Sequence, residues 1–197
     1  MPSDTARRSN RERTEATRAA LIEAARALFV ARGYADTGTP EIVAAAGVTR
    51  GALYHHFADK QALFRAVVEQ ESAAVAREIE QATAEASSPR QALLQGGEAF
   101  LRAMSHAGRT RLLLLDGPAV LGRVEMNAID DTHGARTLRE GIAEAMRQGG
   151  MRSLPVDALA AVLAAAFDRA ALEIESGARV KDYRQVLESM IGGLFVE

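Results

Sequence analysis

The sequence predicts an all-α fold, and three observations carry this prediction. Alanine and leucine dominate the 197 residues, whereas aromatic residues make up only 5% and β-branched runs are scarce, a composition that favours helices over strands. Apolar residues recur at helical spacing in successive segments. Capping residues, prolines and glycines stand where these segments begin and end. Together they predict about nine helices in two parts, residues 1–60 and 61–197.

Four helices are predicted in the N-terminal part and across its boundary. The first spans about residues 14–32, where apolar side chains are spaced three and four apart. The second starts at the capping pattern Thr39-Pro40-Glu41, and the third begins around Thr49. Asp59 caps a long fourth helix that reaches about residue 86. No flexible linker stands out beside it, so this helix is expected to join the two parts rigidly.

Five further helices are predicted in the C-terminal part. A capping box at Ser88-Pro89-Arg90-Gln91 opens the fifth. A short apolar sixth helix is expected to break at Gly117-Pro118, and the seventh to continue from there with a kink near Gly134. The predicted ranges are about 89–106, 111–116, 117–148, 155–175 and from 182 onward.

The second and third predicted helices have the geometry of a DNA-reading helix-turn-helix. Gly47 lets the chain turn sharply between them. Ile42, Ala45, Val48 and Leu53 are expected to clamp the two helices together. The residues left to project from the start of the third helix are Thr49, Arg50, Gly51, Ala52, Tyr54 and His55. Small side chains there permit a close approach to a groove, and the arginine is the long donor able to reach a guanine edge.

The stretch IVAAAGVTRGALYHHFADKQAL, residues 42–63, resembles the signature of the TetR/AcrR family of transcription regulators. With the preceding helix, the resemblance covers about a third of the chain. It implies an N-terminal three-helix helix-turn-helix DNA-binding domain, residues 1–60, that carries a basic N-terminal arm. It also implies a C-terminal helical ligand-binding and dimerisation domain, residues 61–197. The partners implied are double-stranded operator DNA with a palindromic sequence, a small-molecule inducer and a second copy of the chain.

Carried over by position, the resemblance also implies the DNA contacts. Thr49, Arg50, Gly51 and Ala52 would face bases, Tyr54 and His56 would touch the sugar-phosphate backbone, and Lys60 would pair with a phosphate. Gly38 and Pro40 depart from the family pattern, so Thr39 is expected to take over capping and a phosphate contact. Three alternatives stay open: Tyr54 as a core residue, His55 as an idle surface residue, and Lys60 as a surface partner of Asp59.

The charge distribution is consistent with a DNA-binding head. Residues 1–65 hold ten Lys/Arg against seven Asp/Glu, and the remaining residues hold fourteen against nineteen. A basic head on an acidic body suggests that the head meets a polyanion. The arginines before Thr14 form the basic arm: Arg7, Arg8, Arg11 and Arg13. The alternative is a solvated tail in which these arginines are incidental.

The last two predicted helices are candidates for a dimer interface. The first of the two is rich in alanine, and small residues let helices approach closely. The second carries a broad apolar face made of Tyr183, Val186, Leu187, Met190, Ile191 and Leu194. Two such helices from each subunit would make a four-helix interface. The alternative is that both pack only within one chain.

A ligand pocket is predicted among the helices of the C-terminal part. Its candidate lining combines apolar side chains, including methionines that adapt to varied shapes, with two polar residues. The candidates are Phe100, Met104, Leu115, Asp116, Met126, His133, Met146 and Phe167. Asp168 is a further polar residue in these segments that would favour a cation. The ligand is therefore expected to be small and mainly apolar.

Other classes of function have little support in the sequence. We find no phosphate loop, dinucleotide fingerprint, nucleophile elbow or metal-binding histidine pair, and no cysteine, so no enzyme activity, cofactor or metal is expected. No apolar run is long enough for a membrane span, and we expect a soluble, cytoplasmic protein. The predicted function is that of a ligand-responsive repressor. An activator of the same family and a helical DNA-binding protein without a ligand pocket are the alternatives.

Overall fold

The computed structural model describes the backbone of residues 4–196 and the side chains of residues 11–196. Within this range the fold is all-α, as predicted, with ten α-helices and one π-helical segment. The helices are α1 (Asp4–Arg32), α2 (Thr39–Ala45), α3 (Arg50–His56), α4 (Lys60–Thr83), α5 (Pro89–Met104), the π-helical segment (Arg111–Asp116), α6 (Gly117–Leu121), α7 (Arg123–Thr132), α8 (Gly134–Arg147), α9 (Val156–Glu175) and α10 (Val180–Gly192).

Two predicted caps are confirmed and one is wrong. Asp59 caps α4 and Ser88 caps α5, each by accepting a hydrogen bond from an amide in the first turn. Thr39, in contrast, is the first residue of α2 and not its cap, which is Gly38. Because glycine has no side chain to cap with, the Glu41 carboxylate reaches back and accepts a hydrogen bond from the Gly38 amide (3.0 Å).

Three helix boundaries differ from the prediction. α1 begins at Asp4, well before residue 14. The predicted break at Gly117-Pro118 is absent because Pro118 lies in the first turn of α6, where its missing N–H leaves no helical bond unmade. The single long helix expected after it is three helices, because Gly122 has φ +82°, outside the helical region, and His133 has φ −121° and ψ −100°.

The described residues contain two apolar cores. The first joins the N-terminal helices to the N-terminal half of α4 and to the π-helical segment, around Phe29, Leu53 and Phe64. The second lies among α5, α8, α9 and α10, around Ile142 and Phe167. α4 contacts helices of both regions, packing on α1 and also on α5 and α8. None of the helices in the described range has the length and apolar character that crossing a bilayer requires.

Candidate nucleic-acid interface and ligand cavity

The α2–α3 unit has the geometry of a helix-turn-helix. The chain turns at Gly47, and the Val48 amide donates a hydrogen bond to the Val43 carbonyl (3.0 Å) that closes the turn. The Thr49 hydroxyl caps α3 by accepting a hydrogen bond from the Ala52 amide (3.2 Å). These bonds fix the direction in which the first turn of α3 leaves the body of the protein.

The clamp between the two helices differs from the prediction in one residue. Ile42 and Leu53 are fully buried, as the spacing predicts. Ala45 is exposed, whereas Val43 and Ala46 pack against the core. Successive residues of a helix are about 100° apart, so the inner arc of α2 runs from Ile42 through Ala46 to Val43. Ala45 therefore lies beyond the edge of this arc and faces outward.

The predicted base-reading residues lie together on one exposed surface. We define this recognition surface as Thr49, Arg50, Gly51, Ala52, Tyr54 and His55, of which Ala52 is half-buried and the others are exposed. Tyr54 is 44% exposed, which excludes the alternative that it belongs to the core. The exposure and the small residues of this surface suit entry into a groove. Contact with bases stays a prediction.

Tyr54 connects the first residue of α2 to the recognition surface. Polar interactions of its hydroxyl with the side chain of Thr39 and then with that of Arg50 lower the pKa of Tyr54. The Arg50 guanidinium also lies over the Tyr54 ring, 5.5 Å from its centroid. The predicted phosphate contact Thr39 and the predicted base contact Arg50 are thus held by one aromatic side chain before any partner binds.

The two adjacent histidines lie at the C-terminal end of α3. His55 is exposed, and His56 is half-buried with its ring 5.3 Å from that of His55. Burial, and then the positive charges of His55 and Arg18, lower the pKa of His56. The imidazole of His56 is therefore mainly neutral at pH 7 in the free chain, and its contact with a phosphate stays a prediction. Arg18 of α1, which sequence reasoning missed, lies over the Phe57 ring (5.2 Å) and adds a cation beside this end of α3.

Lys60 makes contacts within the protein that the sequence did not predict. Its ammonium donates hydrogen bonds to the carbonyls of Tyr34 (2.9 Å) and Thr37 (3.1 Å). It also lies 4.1 Å from the centroid of the Tyr34 ring. Lys60 therefore fastens the loop between α1 and α2 to the start of α4. The ammonium faces these carbonyls in the isolated chain, and its contact with a phosphate stays a prediction.

Part of the predicted basic arm lies outside the described residues. The side chains of Arg7 and Arg8 belong to that part. Arg11 is described, and its guanidinium forms an exposed ion pair with Glu15 (2.9 Å). Exposed pairs of this kind are weak, so a phosphate can replace the carboxylate.

A cavity of about 270 Å³ lies in the C-terminal part of the fold. Its wall combines the C-terminal half of α4, the middle of α5, the facing ends of α7 and α8, and the middle of α9. The lining residues are Ile79, Glu80, Thr83, Ala92, Leu93, Gly96, Gly97, Phe100, Asp130, Gly134, Ala135, Thr137, Leu138, Glu140, Gly141, Ala164, Phe167 and Asp168.

Two of the eight predicted pocket residues, Phe100 and Phe167, line this cavity. Their rings contact edge to face, with centroids 5.7 Å apart. Gly97 makes this arrangement possible, because a Cβ at its position would lie 2.6 Å from the Phe167 ring. A glycine in the middle of a helix costs roughly 1 kcal/mol relative to alanine. A glycine inside the predicted fifth helix is therefore a sequence signal that could have identified α5 as a cavity wall.

The other six predicted pocket residues lie elsewhere. Met104 is buried in the first core, and Met146 packs on the second. Met126 packs against Gly117, and His133 sits at the break between α7 and α8. The remaining two lie on the π-helical segment: Leu115, which is 51% exposed, and Asp116, which pairs with Arg111 (3.4 Å). For Met126, His133 and Met146 the prediction failed because it took α6–α8 as one helix, which gives their side chains the wrong faces.

The charged residues of the cavity wall fall into two pairs. Glu80 and Glu140 at the rim are both bound by Arg136, at 2.7 and 3.2 Å. Asp130 and Asp168 have no such partner among the described residues. Burial, and then the charge of Asp130, raise the pKa of Asp168 to about 7. Burial also raises the pKa of Asp130, although a hydrogen bond from the Ala135 amide opposes this shift.

A buried ion network joins the N-terminal helices to the body. Glu71 of α4 accepts hydrogen bonds from Arg26 of α1 (2.7 Å) and from Arg109, in the loop after α5 (2.8 Å). Arg109 also binds Glu78 (2.8 Å). The side chains of Glu71 and Arg109 are only 6% and 7% exposed. Burial alone would raise the pKa of Glu71, but the bonds from the two arginines outweigh it and lower this pKa.

The outer faces of α9 and α10 expose apolar side chains. Val162, Val186 and Met190 are 62%, 56% and 40% exposed. Leu187 and Ile191, two of the predicted interface residues, are instead buried against the second core of the same chain. The α10 face is thus divided, with one side packed internally and the other open.

Comparison with known proteins is consistent with these features. Residues 21–67 match the family model described as bacterial regulatory proteins, tetR family, and residues 90–194 match a tetracyclin repressor-like C-terminal domain. A solved TetR-family transcriptional regulator from Pectobacterium atrosepticum is 30% identical with a TM-score of 0.75, and the match covers 95% of this chain and 98% of that one.

Two curated relatives match over shorter stretches. The A-factor receptor protein of Streptomyces griseus is 36% identical over 91 residues, which are 46% of this chain and 31% of the relative. The HTH-type transcriptional activator FasR of Mycolicibacterium smegmatis is 33% identical over 119 residues, 60% of this chain and 54% of the relative. The matched stretches thus span about a third to a half of these relatives' lengths.

Proposed function

The chain belongs to the TetR family of bacterial regulatory proteins, and on that premise we propose that it is a ligand-responsive repressor. Members of this family are DNA-binding transcription regulators and not enzymes, and curated relatives include proteins named as repressors and as activators. In the proposed mechanism, the recognition surface holds a palindromic operator in the cytoplasm. A small, mainly apolar molecule in the cavity then releases it.

The observation that carries this proposal is the path of α4. Lys60, at its first turn, is bonded to the loop that precedes α2. Ile79, Glu80 and Thr83, near its last turn, line the cavity. A continuous helix transmits a displacement at one end to the other because its backbone bonds resist bending. A ligand that displaces the end of α4 would therefore tilt the helices that carry the recognition surface.

The buried ion network supports the same route. Arg26 ties α1 to Glu71 in the middle of α4, and Arg109 ties the loop after α5 to the same carboxylate. Breaking a buried pair is costly, so α1 and α4 are expected to move together. The network thus supports a rigid head that rotates as a unit.

The proposed assembly is a dimer, as is usual in this family. The exposed apolar side chains Val162, Val186 and Met190 favour a contact through α9 and α10. Two recognition surfaces related by a twofold axis would read half-sites about one helical turn apart, or a multiple of it. A tilt that changes their separation would then break the groove contacts of one of the two surfaces.

The domain boundary at residue 60 stays a prediction, since α4 takes part in both regions.

The DNA-binding part is tested by selecting bound sequences from randomised duplexes. A palindromic consensus is expected, with affinity that falls steeply as salt rises. Arg50→Ala should lower affinity for the consensus by about 1–3 kcal/mol and relax one position of it. Arg77→Ala, which removes an exposed arginine of α4 away from the recognition surface, is the matched control. Equal affinity for random and selected duplexes would refute a sequence-specific regulator.

Activation of transcription is the second candidate, and the relative named as an activator favours it. The two candidates are separated by transcription in vitro from a promoter that carries the selected operator. A repressor lowers transcript yield, and an activator raises it.

A further inference from the structure

We propose that the cavity binds a small organic cation, in which an amine or quaternary ammonium group is attached to an apolar body. This inference names the ligand class of the proposed function and rests on the cavity being the ligand site. The sequence predicted a mainly apolar ligand and gave a cation as one option; the cavity wall favours the cation.

The cavity wall carries charge of one sign only. All four charged residues of the wall are acidic: Glu80, Asp130, Glu140 and Asp168. In the described part of the chain, the nearby arginines are already engaged. Arg136 binds Glu80 and Glu140, and Arg139 is paired with Asp131 next to the cavity. The wall therefore repels an anion and leaves two carboxylates, Asp130 and Asp168, available to a cation.

The second argument is the missing partner of Asp168. This residue lies in the middle of α9, directly after Phe167, and its carboxylate receives neither a hydrogen bond nor an ion pair from the described residues. Asp168 is half-buried, and partial burial without a compensating partner disfavours the charged form; this burial, and then the charge of Asp130, raise the pKa of Asp168 to about 7. A cation in the cavity would provide the missing partner and restore the charged form.

The third argument is the apolar and aromatic remainder of the wall. Phe100 and Phe167 present an edge-to-face pair beside Asp168, and aromatic rings attract the ammonium groups of ligands. Leu93 and Leu138 supply aliphatic surface. A volume of about 270 Å³ is at the small end of ligand pockets, which span roughly 300–1,000 Å³. The ligand therefore combines one cationic group with a body no larger than a substituted ring.

A neutral ligand is the competing interpretation, because protonated Asp168 donates a hydrogen bond. The two interpretations differ in what they require of the residue. A cation needs the negative charge, whereas a neutral polar ligand needs only a hydrogen-bonding group of the same shape. Asp168→Asn keeps the shape and removes the charge. Asp157→Asn is the matched control, since Asp157 lies on the same helix with its side chain 94% exposed and makes only a long contact with Arg139 (3.7 Å).

The experiment uses the full chain and two probes that share one shape. Phenyltrimethylammonium carries the charge, and tert-butylbenzene is its neutral carbon isostere. Calorimetry at pH 8, where Asp168 is mostly ionised, should give at least tenfold tighter binding of the cation. Asp168→Asn should remove this preference, and Asp157→Asn should keep it. The comparison of probes on the unaltered chain needs no variant to fold.

Three results would overturn the proposal: equal affinity for the two probes, binding of neither, or full cation preference in Asp168→Asn. Failure here is distinguishable from failure of the proposed function. If the neutral isostere binds equally well, the cavity remains a ligand site and only the ligand class is wrong. If the cation binds as expected but operator affinity does not change, the cation site stands and the ligand-responsive mechanism falls.

Discussion

The recognition surface and the cavity differ in shape, in charge and in how their side chains are satisfied. The recognition surface is largely exposed and free of acidic residues, and its arginine lies over the Tyr54 ring. The cavity is concave and acidic, and it leaves Asp168 without a partner. The proposed partner of the recognition surface is DNA, a polyanion with one regular geometry. The proposed partner of the cavity is a single small molecule, which would supply the positive charge that the wall lacks.

The two sites also differ in the interactions that position their side chains. Short helices hold the recognition surface through local bonds, such as the Thr49 cap and the Tyr54 link to Thr39. The cavity depends on side chains from helices far apart in sequence, with Phe167 seated against Gly97. Alterations should therefore separate the two sites, except where they touch α4 or the ion network that connects them.

Cutting the ion network should have the largest effect, because it leaves a buried arginine and a half-buried one without their shared carboxylate. Glu71→Ala leaves Arg26 and Arg109 without their shared carboxylate, and Arg109 is buried. The free energy of unfolding should fall by about 3–5 kcal/mol, measured by urea denaturation. Glu15→Ala, which removes one half of an exposed pair, should change it little. A similar, small loss in both variants would mean that the network does not hold the regions together.

Filling the space beside Phe167 should damage the cavity and spare the recognition surface. A Cβ at Gly97 would lie 2.6 Å from the Phe167 ring, whereas a Cβ at Gly96 has only ordinary contacts at 3.5 Å or more. Gly97→Ala should cost about 1–3 kcal/mol through overpacking and weaken probe binding. Gly96→Ala should gain up to roughly 1 kcal/mol from helix propensity. Operator affinity without ligand should be unchanged in both. Equal stability of the two variants would contradict the placement of Phe167.

The charge of Asp168 should make the stability of the body depend on pH. The pKa of Asp168 is raised from 3.8 to about 7 in the folded chain, so the folded state keeps a proton that the unfolded state loses. Stability from this group therefore falls as pH rises between these values. Asp168→Asn removes this pH-dependent loss of stability. The difference in melting temperature, variant minus parent, should therefore increase by a few degrees between pH 4 and pH 8.

Because Asp130, Glu80 and Glu140 face the same cavity, the comparison is made between variants at each pH. The control Asp157→Asn should follow the parent throughout. A difference in melting temperature between Asp168→Asn and the parent that does not change with pH would show that Asp168 has an ordinary pKa.

The smallest effect is expected at Lys60, and it concerns the head alone. Lys60→Met keeps the apolar stem and removes the two bonds to the carbonyls of Tyr34 and Thr37. Stability should fall by about 1 kcal/mol, while the salt dependence of DNA binding stays as in the parent. If the slope of log affinity against log salt concentration falls in magnitude by about one in the variant, Lys60 contacts a phosphate.

The sequence predicted the head better than the body, for a physical reason. The head's helices begin and end at local signals, and its site residues are neighbours along the chain. The cavity wall is assembled from α4, α5, α7, α8 and α9, so its composition depends on packing that no local signal carries. Phe100 and Phe167 were identified because large aromatic side chains line most interiors. Gly97 and Asp130 were missed because their roles depend on the residue opposite.

Even within the head, long-range contacts add what local signals do not show: the phosphate contact of Lys60 stays a prediction, and the capping role of Thr39 is wrong. Lys60 was assigned to a phosphate because its position matches the family pattern, yet its ammonium is bonded to carbonyls that precede it by more than twenty residues. Thr39 was taken as a cap, whereas its hydroxyl interacts with Tyr54 of the next helix.

The central claim is that occupation of the cavity lowers affinity for the operator. The direct measurement is a titration of the selected operator, followed by fluorescence anisotropy, with and without saturating phenyltrimethylammonium, or its neutral isostere if that binds more tightly. Operator affinity should fall roughly 5–150-fold, and by reciprocity operator DNA should weaken probe binding by the same factor. If the probe saturates the cavity and operator affinity stays constant, the two regions are not coupled and the account is wrong.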